Sequence, residues 1–285
     1  MSHILVTGAR GQLGSEIFKI SKNYPKIKFS FVGREEMPFD DDYSLTFFLN
    51  QINPDIIINT AAYTDVDQAE KEKEKANQIN HLSVAAIAAW CSNNSAKLIH
   101  VSTDYVFDGT STIPYKENDR TKPINWYGET KLRGEQAIES ILKDAVIIRT
   151  SWLYSEFGNN FVKTMFRLMT ERKSLNVVND QIGSPTYALD LAKTIMKIVG
   201  SKIWKHGIFH YSNAGKISWF DFAVAINMFS GLNCEVNGVS SIKFPTIAKR
   251  PSYSLLDKTK IKVTYKLEVS DWKTSLESCI KMLKR

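Results

Sequence analysis

Short β-branched runs alternate with amphipathic helical stretches through the first 150 residues, and this alternation limits the fold more than any other feature of the chain. The runs fall at residues 4–7, 29–32, 55–59, 97–102 and 145–149, with helical stretches at 15–22, 44–51 and 76–91 between them. Several runs, such as Asp55-Ile56-Ile57-Ile58-Asn59, are apolar nearly throughout, as strands covered on both faces are. Strands separated by helices imply βαβ units and a parallel sheet. The expected architecture is α/β, a Rossmann-like doubly wound parallel sheet with a smaller C-terminal lobe. Residues 1–150 are expected to form the NAD(P)-binding domain. Residues 151–285 are expected to form mainly a substrate-binding lobe, with some chain returning to the first domain. In that second half, helices are expected at 161–169, 187–199, 218–229 and 271–283, the last capped by Ser270.

The turn after the first run is Gly8-Ala9-Arg10-Gly11-Gln12-Leu13-Gly14, glycines spaced G-x-x-G-x-x-G between a strand and a helix. Glycine is needed where the chain turns tightly and its backbone must approach a pyrophosphate. The helix N-terminus then offers free N–H donors and a positive dipole to that anion. At the end of the second run stands Arg34, where an acidic residue would select NAD and an arginine accepts the 2′-phosphate of NADP. NADPH is the expected cofactor and NADH an acceptable one, since Glu35 and Glu36 follow directly.

Tyr127-Gly128-Glu129-Thr130-Lys131 places a phenol and an ammonium four residues apart, on one face of a helix. A cation beside a phenol favours the phenolate and draws its pKa toward the working range of an acid–base catalyst. Upstream, Thr103 ends the run 97–102, and strand C-termini are where open parallel sheets place ligands. A hydroxyl there can bond both a substrate oxygen and the phenol.

Composition narrows the field. The 285 residues are 43% hydrophobic and 24% charged, which excludes a disordered chain or a fibrous one. Cys91, Cys234 and Cys279 are an odd number without a CxxC pair, against a disulfide framework or a zinc site. The formal charge of +7 comes from scattered lysines and not from a dense basic block, so an anionic small molecule is a better partner than nucleic acid. No apolar run approaches the roughly 20 residues of a membrane span. The chain enters its first strand at once from Met1, without a leader, and a cytoplasmic location is expected. His3, His81, His100, His206 and His210 lack metal-ligand spacing and receive no chemistry, and no metal is expected.

Together these residues resemble the extended short-chain dehydrogenase/reductases, and within them the dTDP-4-dehydrorhamnose reductases. The motifs run along nearly the whole chain: GARGQLGSE, NTAAYTDVDQAE, STDYVFDG, YGETKLRGE, RTSWLYSEFGNNF, VVNDQIGSPT, GIFHYSNAGKISWFDFA and KRPSYSLLD. The first four resemble the wider superfamily, and SWLY and DQIGSPT the narrower group. The resemblance implies that Gly8, Gly11, Gln12, Leu13 and Gly14 hold the cofactor pyrophosphate, and that Ala61, Ala62 and Tyr63 line its nicotinamide side. Asp40 and Asp41 lie near the adenine in that family. Thr103, Tyr127 and Lys131 would be the catalytic set, with Tyr127 protonating the alkoxide and Lys131 holding the nicotinamide ribose and lowering the phenol pKa. Thr103, Asp104, Tyr105 and Trp152 would hold the sugar, and Arg250 the nucleotide diphosphate.

The implied reaction is reduction of the 4-keto group of dTDP-4-dehydro-6-deoxy-L-mannose to dTDP-L-rhamnose. A reductase or epimerase of another nucleotide-linked 4-keto-6-deoxysugar fits the same motifs. So does a non-catalytic regulatory subunit similar to the methionine adenosyltransferase β-subunit. Dehydration is disfavoured, because no glutamate follows Thr103-Asp104. Some members of the family bind magnesium at a dimer interface. Here Glu16 stands at a suitable place, but Leu189 occupies a position where a second glutamate is expected, with Asp190 beside it. A metal-free monomer or weak homodimer is the expectation.

Overall fold

The computed structural model describes residues 2–37, 39 and 41–284. Six strands form the central sheet: β1 (His3–Thr7), β2 (Lys28–Val32), β3 (Ile56–Asn59), β4 (Lys97–Thr103), β5 (Val146–Thr150) and β6 (Gly207–His210). All neighbouring pairs are parallel, in the order 2-1-3-4-5-6. The order reverses between β1 and β3, and the crevice outside the strand C-termini at that point is where such sheets take ligands.

Alternation along the strands sends side chains to two separate cores. Ile4, Val6, Ile58, Ile99 and Ile148 pack on one face, beneath helices α1 (Gln12–Ser21) and Ala188–Val199. Leu5, Ile57, Leu98 and Ile147 pack on the other. That face is covered by α2 (Asp42–Ile52), α3 (Ser83–Asn94) and α4 (Trp126–Ile141). Period-two alternation is what allows one sheet to bury both faces.

The second half adds α5 (Phe161–Glu171), α6 (Ala188–Val199), α7 (Trp219–Ser230) and α8 (Trp272–Leu283). A third core of Tyr154, Val162, Tyr187, Phe222, Trp272 and Leu276 joins these helices. Two elements of this half serve the sheet itself: α6 lies against α1, and β6 extends the sheet beyond β5.

Two local expectations are corrected. The helix read over 76–91 is interrupted by a π-helical turn, Gln78–Leu82, between Lys73–Asn77 and α3. The cap of α8 is Asp271, whose carboxylate accepts from Lys273 N at 2.9 Å, and not Ser270. A carboxylate at the N-cap answers the unpaired amides and the helix dipole together. All three cysteines are buried as free thiols.

Candidate active site

Gly8 takes φ +66°, and a Cβ there would lie 2.8 Å from Ala61 N, so the turn after β1 can touch the segment after β3 only because Gly8 has no side chain. Gly11 is the N-cap of α1 and offers no side-chain cap, and the first turn of the helix carries no acidic residue. The first amides of α1 therefore keep their donors for an anion. This cradle fits a dinucleotide pyrophosphate. Gln12 ties it to the second half: its Oε1 accepts from Asn160 Nδ2 at 3.0 Å. Leu13 and Gly14 are buried behind the turn.

Ala61, Ala62 and Tyr63 follow β3 on the opposite lip of the crevice, half-buried. Asn80, in the π-helical turn, accepts from Tyr63 N at 2.9 Å and donates to Tyr63 O at 3.0 Å. It also donates to Thr130 Oγ1 at 3.1 Å, which locks this lip to α4. Helical irregularities of this kind often mark functional sites, and here the π turn aims one amide at three partners.

At the far end of β2, Arg34 is exposed. Arg10, from the glycine turn itself, meets Glu35 at 3.0 Å and Glu36 at 3.2 Å, and Glu36 caps Gly33 N at 2.8 Å. Arg10 is thus a second cation at the place assigned to a 2′-phosphate. Its position within the glycine motif hid it from sequence reading. Asp41 caps α2, accepting from Tyr43 N and Ser44 N. Asp40 lies outside the described residues.

Tyr127 and Lys131 sit in the first two turns of α4, which Asn125 caps by accepting from Gly128 N at 2.8 Å. A Cβ on Gly128 would lie 2.2 Å from Tyr105 O, so glycine is what lets α4 settle on the turn Asp104–Val106. The Tyr105 and Tyr127 rings consequently meet edge to face, centroids 5.7 Å apart. Thr103 Oγ1 donates to Asp104 Oδ1 at 3.1 Å and accepts from Tyr105 N at 3.2 Å.

Burial pushes the Tyr127 phenol up to about 12, with the Thr103 hydroxyl pulling it back in part and Asp104 adding to the rise. Lys131 is held elsewhere. Its Nζ donates to Val101 O at 2.7 Å and lies 3.2 Å from His100 Nε2, directed at β4. Burial lowers Lys131 itself to about 8, against the opposing pull of Glu135. Tyr127 is therefore fully protonated at neutral pH, the form that an acid donating to an alkoxide requires.

The residues expected on the sugar side lie nearby. Asp104 is buried and raised to about 7. Ser254 is close enough to favour its carboxylate, yet Oδ2 receives no hydrogen bond of normal geometry. Trp152 adopts φ +48°, uncommon for so large a side chain, and stacks on Trp219 with centroids 3.7 Å apart. Gly183 lies against it, where a Cβ would be 2.8 Å from the indole. Trp219 and Gly183 were not singled out from sequence, although Gly183 falls within DQIGSPT. Arg250 Nη2 pairs with Asp67 at 2.8 Å, whereas Nη1 is buried without a partner. An unpaired buried guanidinium nitrogen is costly in isolation and suits an anionic group.

Glu16 is fully buried, accepting from Ser155 Oγ at 2.7 Å. Asp190 is taken up by Asn213 and Ser275, at 2.8 and 2.5 Å. Among the described residues no group of three His, Cys, Asp or Glu side chains is placed to hold a metal ion. No helix among them is long and apolar enough to cross a membrane.

The family model described as "RmlD substrate binding domain" matches residues 1–285. A dTDP-4-dehydrorhamnose reductase of Aggregatibacter actinomycetemcomitans is 38% identical over 290 residues, covering 98% of each chain. The spore coat polysaccharide biosynthesis protein SpsK of Bacillus subtilis is 42% identical over 90% of this chain and 89% of its own. Among solved structures, a dTDP-4-dehydrorhamnose reductase from Bacillus anthracis in complex with NADP superposes with a TM-score of 0.94 at 38% identity, covering 99% of this chain and 100% of that one. A glycine cradle at the sheet's switch point, a tyrosine–lysine pair on α4 and full-length similarity lead to one conclusion: the chain belongs to the RmlD substrate binding domain family, that of the dTDP-4-dehydrorhamnose reductases, on the Rossmann-like fold of the extended short-chain dehydrogenase/reductases.

Proposed function

We propose that the protein reduces the 4-keto group of dTDP-4-dehydro-6-deoxy-L-mannose to give dTDP-L-rhamnose, with NADPH as the preferred reductant, using Tyr127, Lys131 and Thr103. The observation that carries this reading is Tyr127, on α4 against the turn after Thr103 and beside Lys131, in a chain similar over its full length to dTDP-4-dehydrorhamnose reductases. NADPH, when bound, supplies the hydride. The remaining work belongs to the chain. Tyr127 holds its proton at Oη and gives it to the oxygen of the reduced carbonyl. Thr103 bonds that same oxygen and orients it. Lys131, held by Val101 O and His100, has one ammonium N–H left for the nicotinamide ribose hydroxyls. Positioning the two reactants so that neither must be ordered during the reaction is the larger part of the acceleration.

The substrate roles follow the same geometry. Trp152, braced by Trp219, forms an apolar wall for the sugar ring. Asp104 and Tyr105 border it, and Arg250 Nη1 is the donor for a diphosphate oxygen. Gly8, Gly11, Gln12, Leu13 and Gly14 hold the cofactor pyrophosphate, Ala61, Ala62 and Tyr63 its nicotinamide half, and Arg34 with Arg10 its 2′-phosphate. Residues 1–150 act as the cofactor half and 151–285 mainly as the substrate half. The protein works in the cytoplasm as a monomer or weak homodimer.

The test is to mix the protein with NADPH and the 4-keto-L-rhamnose nucleotide made in place, following loss of reduced-nicotinamide absorbance and identifying the sugar. Rapid oxidation yielding dTDP-L-rhamnose is expected. NADPH binding without oxidation would overturn the substrate assignment.

A further inference from the structure

A row of buried polar side chains runs from Lys131 across the strand ends beneath the crevice to β1. Lys131 Nζ lies 3.2 Å from His100 Nε2, and His100 Nδ1 lies 3.0 Å from the side-chain amide of Asn59. The other end of that amide lies 2.7 Å from Thr7 Oγ1, which also accepts from Ala61 N at 3.3 Å. Thr7, Asn59 and His100 are wholly buried and Lys131 nearly so, which leaves these atoms to satisfy one another.

A neutral imidazole has one N–H and one bare nitrogen, so the His100 tautomer and the Asn59 amide are set together, in two arrangements. With Lys131 as an ammonium, Nε2 is bare and accepts from it, and Nδ1–H donates to the Asn59 oxygen. The Asn59 amide nitrogen then donates to Thr7 Oγ1. In the orientation the structure shows, the Asn59 nitrogen faces Nδ1 and Thr7 donates to the Asn59 oxygen, so Nδ1 accepts and Nε2–H is turned to Nζ, the pairing that suits a neutral amine. An ammonium facing Nε2–H sets two donors face to face. The two arrangements differ by the tautomer of His100 and a half-turn of one amide. A doubly protonated ring suits neither, and burial together with the Lys131 charge holds His100 well below its ordinary pKa.

We propose that His100 is a positioning residue for the reduction: its bare Nε2 accepts a hydrogen bond from Lys131, keeps that side chain charged and fixes its aim, with Asn59 and Thr7 setting the ring tautomer. The proposal rests on the reading of Lys131 as the cation of the active site. The other groups facing this row are few. Glu135, one turn further along α4, favours the ammonium but is itself engaged by Arg149 of β5 at 2.7 Å. Tyr127 is one turn earlier, with Asp104 beyond it. His210 of β6 lies behind Arg149 at 3.5 Å, and burial keeps it uncharged, at about 3.

The experiment compares the pH dependence of kcat for the wild type, His100→Leu, His100→Gln and Lys131→Met, from about pH 6 to about pH 10, with saturating NADPH and ketosugar nucleotide. Wild-type kcat falls as pH rises through the Lys131 ionisation. Removing the acceptor destabilises the ammonium, so in His100→Leu this limb moves down by about one pH unit. Its kcat near neutrality drops about tenfold, while KM for the sugar changes less than about twofold. His100→Gln, whose amide oxygen can accept, returns the limb to the wild-type position. A limb unmoved in His100→Leu, or identical in the Leu and Gln variants, overturns the proposal. Lys131→Met separates the two levels, since wild-type turnover in that variant removes the catalytic reading itself. Should His100→Leu fail to fold, nitrogen-15 NMR of the wild-type ring decides. Below the limb the ring is expected as Nδ1–H with Nε2 bare, and an Nε2–H tautomer there overturns the proposal.

Discussion

Asp104 shows how a single buried carboxyl can trade stability against function. Its folded-state pKa is raised from 3.8 to about 7, chiefly by burial. Between those values the folded protein binds a proton that the unfolded chain does not. Stability from this group is therefore present in full below pH 4 and lost as pH rises to about 7. In Asp104→Asn that loss is absent. The variant is expected to match the wild type in unfolding free energy near pH 4 and to exceed it above pH 7 by on the order of a few kcal/mol. Its KM for the sugar nucleotide should rise. Denaturant titrations at the two pH values check the first, and equal differences at both would contradict it. Arg10 makes a separate point. It sits in the glycine turn beside Glu35 and Glu36, where Arg34 also ends β2. Replacing Arg10 with alanine should raise the Kd for NADPH by about tenfold and leave that for NADH within about twofold, measured by fluorescence titration. Equal loss for both cofactors would place Arg10 away from the 2′-phosphate.

At the scale of elements, the contact between α4 and the turn Asp104–Val106 decides whether Tyr127 and Thr103 work together. Gly128→Ala gains helix propensity of about 1 kcal/mol but sets a Cβ 2.2 Å from Tyr105 O. That oxygen is backbone and cannot swing aside, so a net destabilisation of about 1–3 kcal/mol is expected. A fall in kcat larger than any change in NADPH affinity should accompany it, read by thermal unfolding and steady-state kinetics. Sequence reading reached this element through tyrosine and lysine four residues apart, and reached α1 through its glycines. Both signals are local in the chain. What escaped was set by distant partners. β6, Gly207-Ile208-Phe209-His210, is a short run whose only strand neighbour among the described residues is β5, some sixty residues earlier. The π turn around Asn80 reads as ordinary helix, because its irregularity is fixed by Tyr63 and Thr130. His100 offered no motif at all. Its partners, Lys131 and Asn59, come from α4 and β3, 31 and 41 residues away. A shared helix face with Tyr127 does not by itself tell where the Lys131 ammonium is held. The rotamer of Lys131 instead follows its carbonyl and imidazole partners on β4.

For the whole molecule, one sheet carries the glycine turn, α4 and the strand end bearing Thr103, and the second half is tied to them through Gln12–Asn160 and the Asp67–Arg250 pair. That arrangement makes the proton donor separable from the binding surfaces. The most direct test is single-turnover reduction of the ketosugar nucleotide by Tyr127→Phe, with the NADPH Kd measured on the same preparation. Loss of the donor should cut the single-turnover rate by about 100-fold or more, while the NADPH Kd stays within about threefold of the wild type. A Tyr127→Phe protein that reduces the sugar at the wild-type rate would contradict the assignment of Tyr127 as the acid and the account built on it.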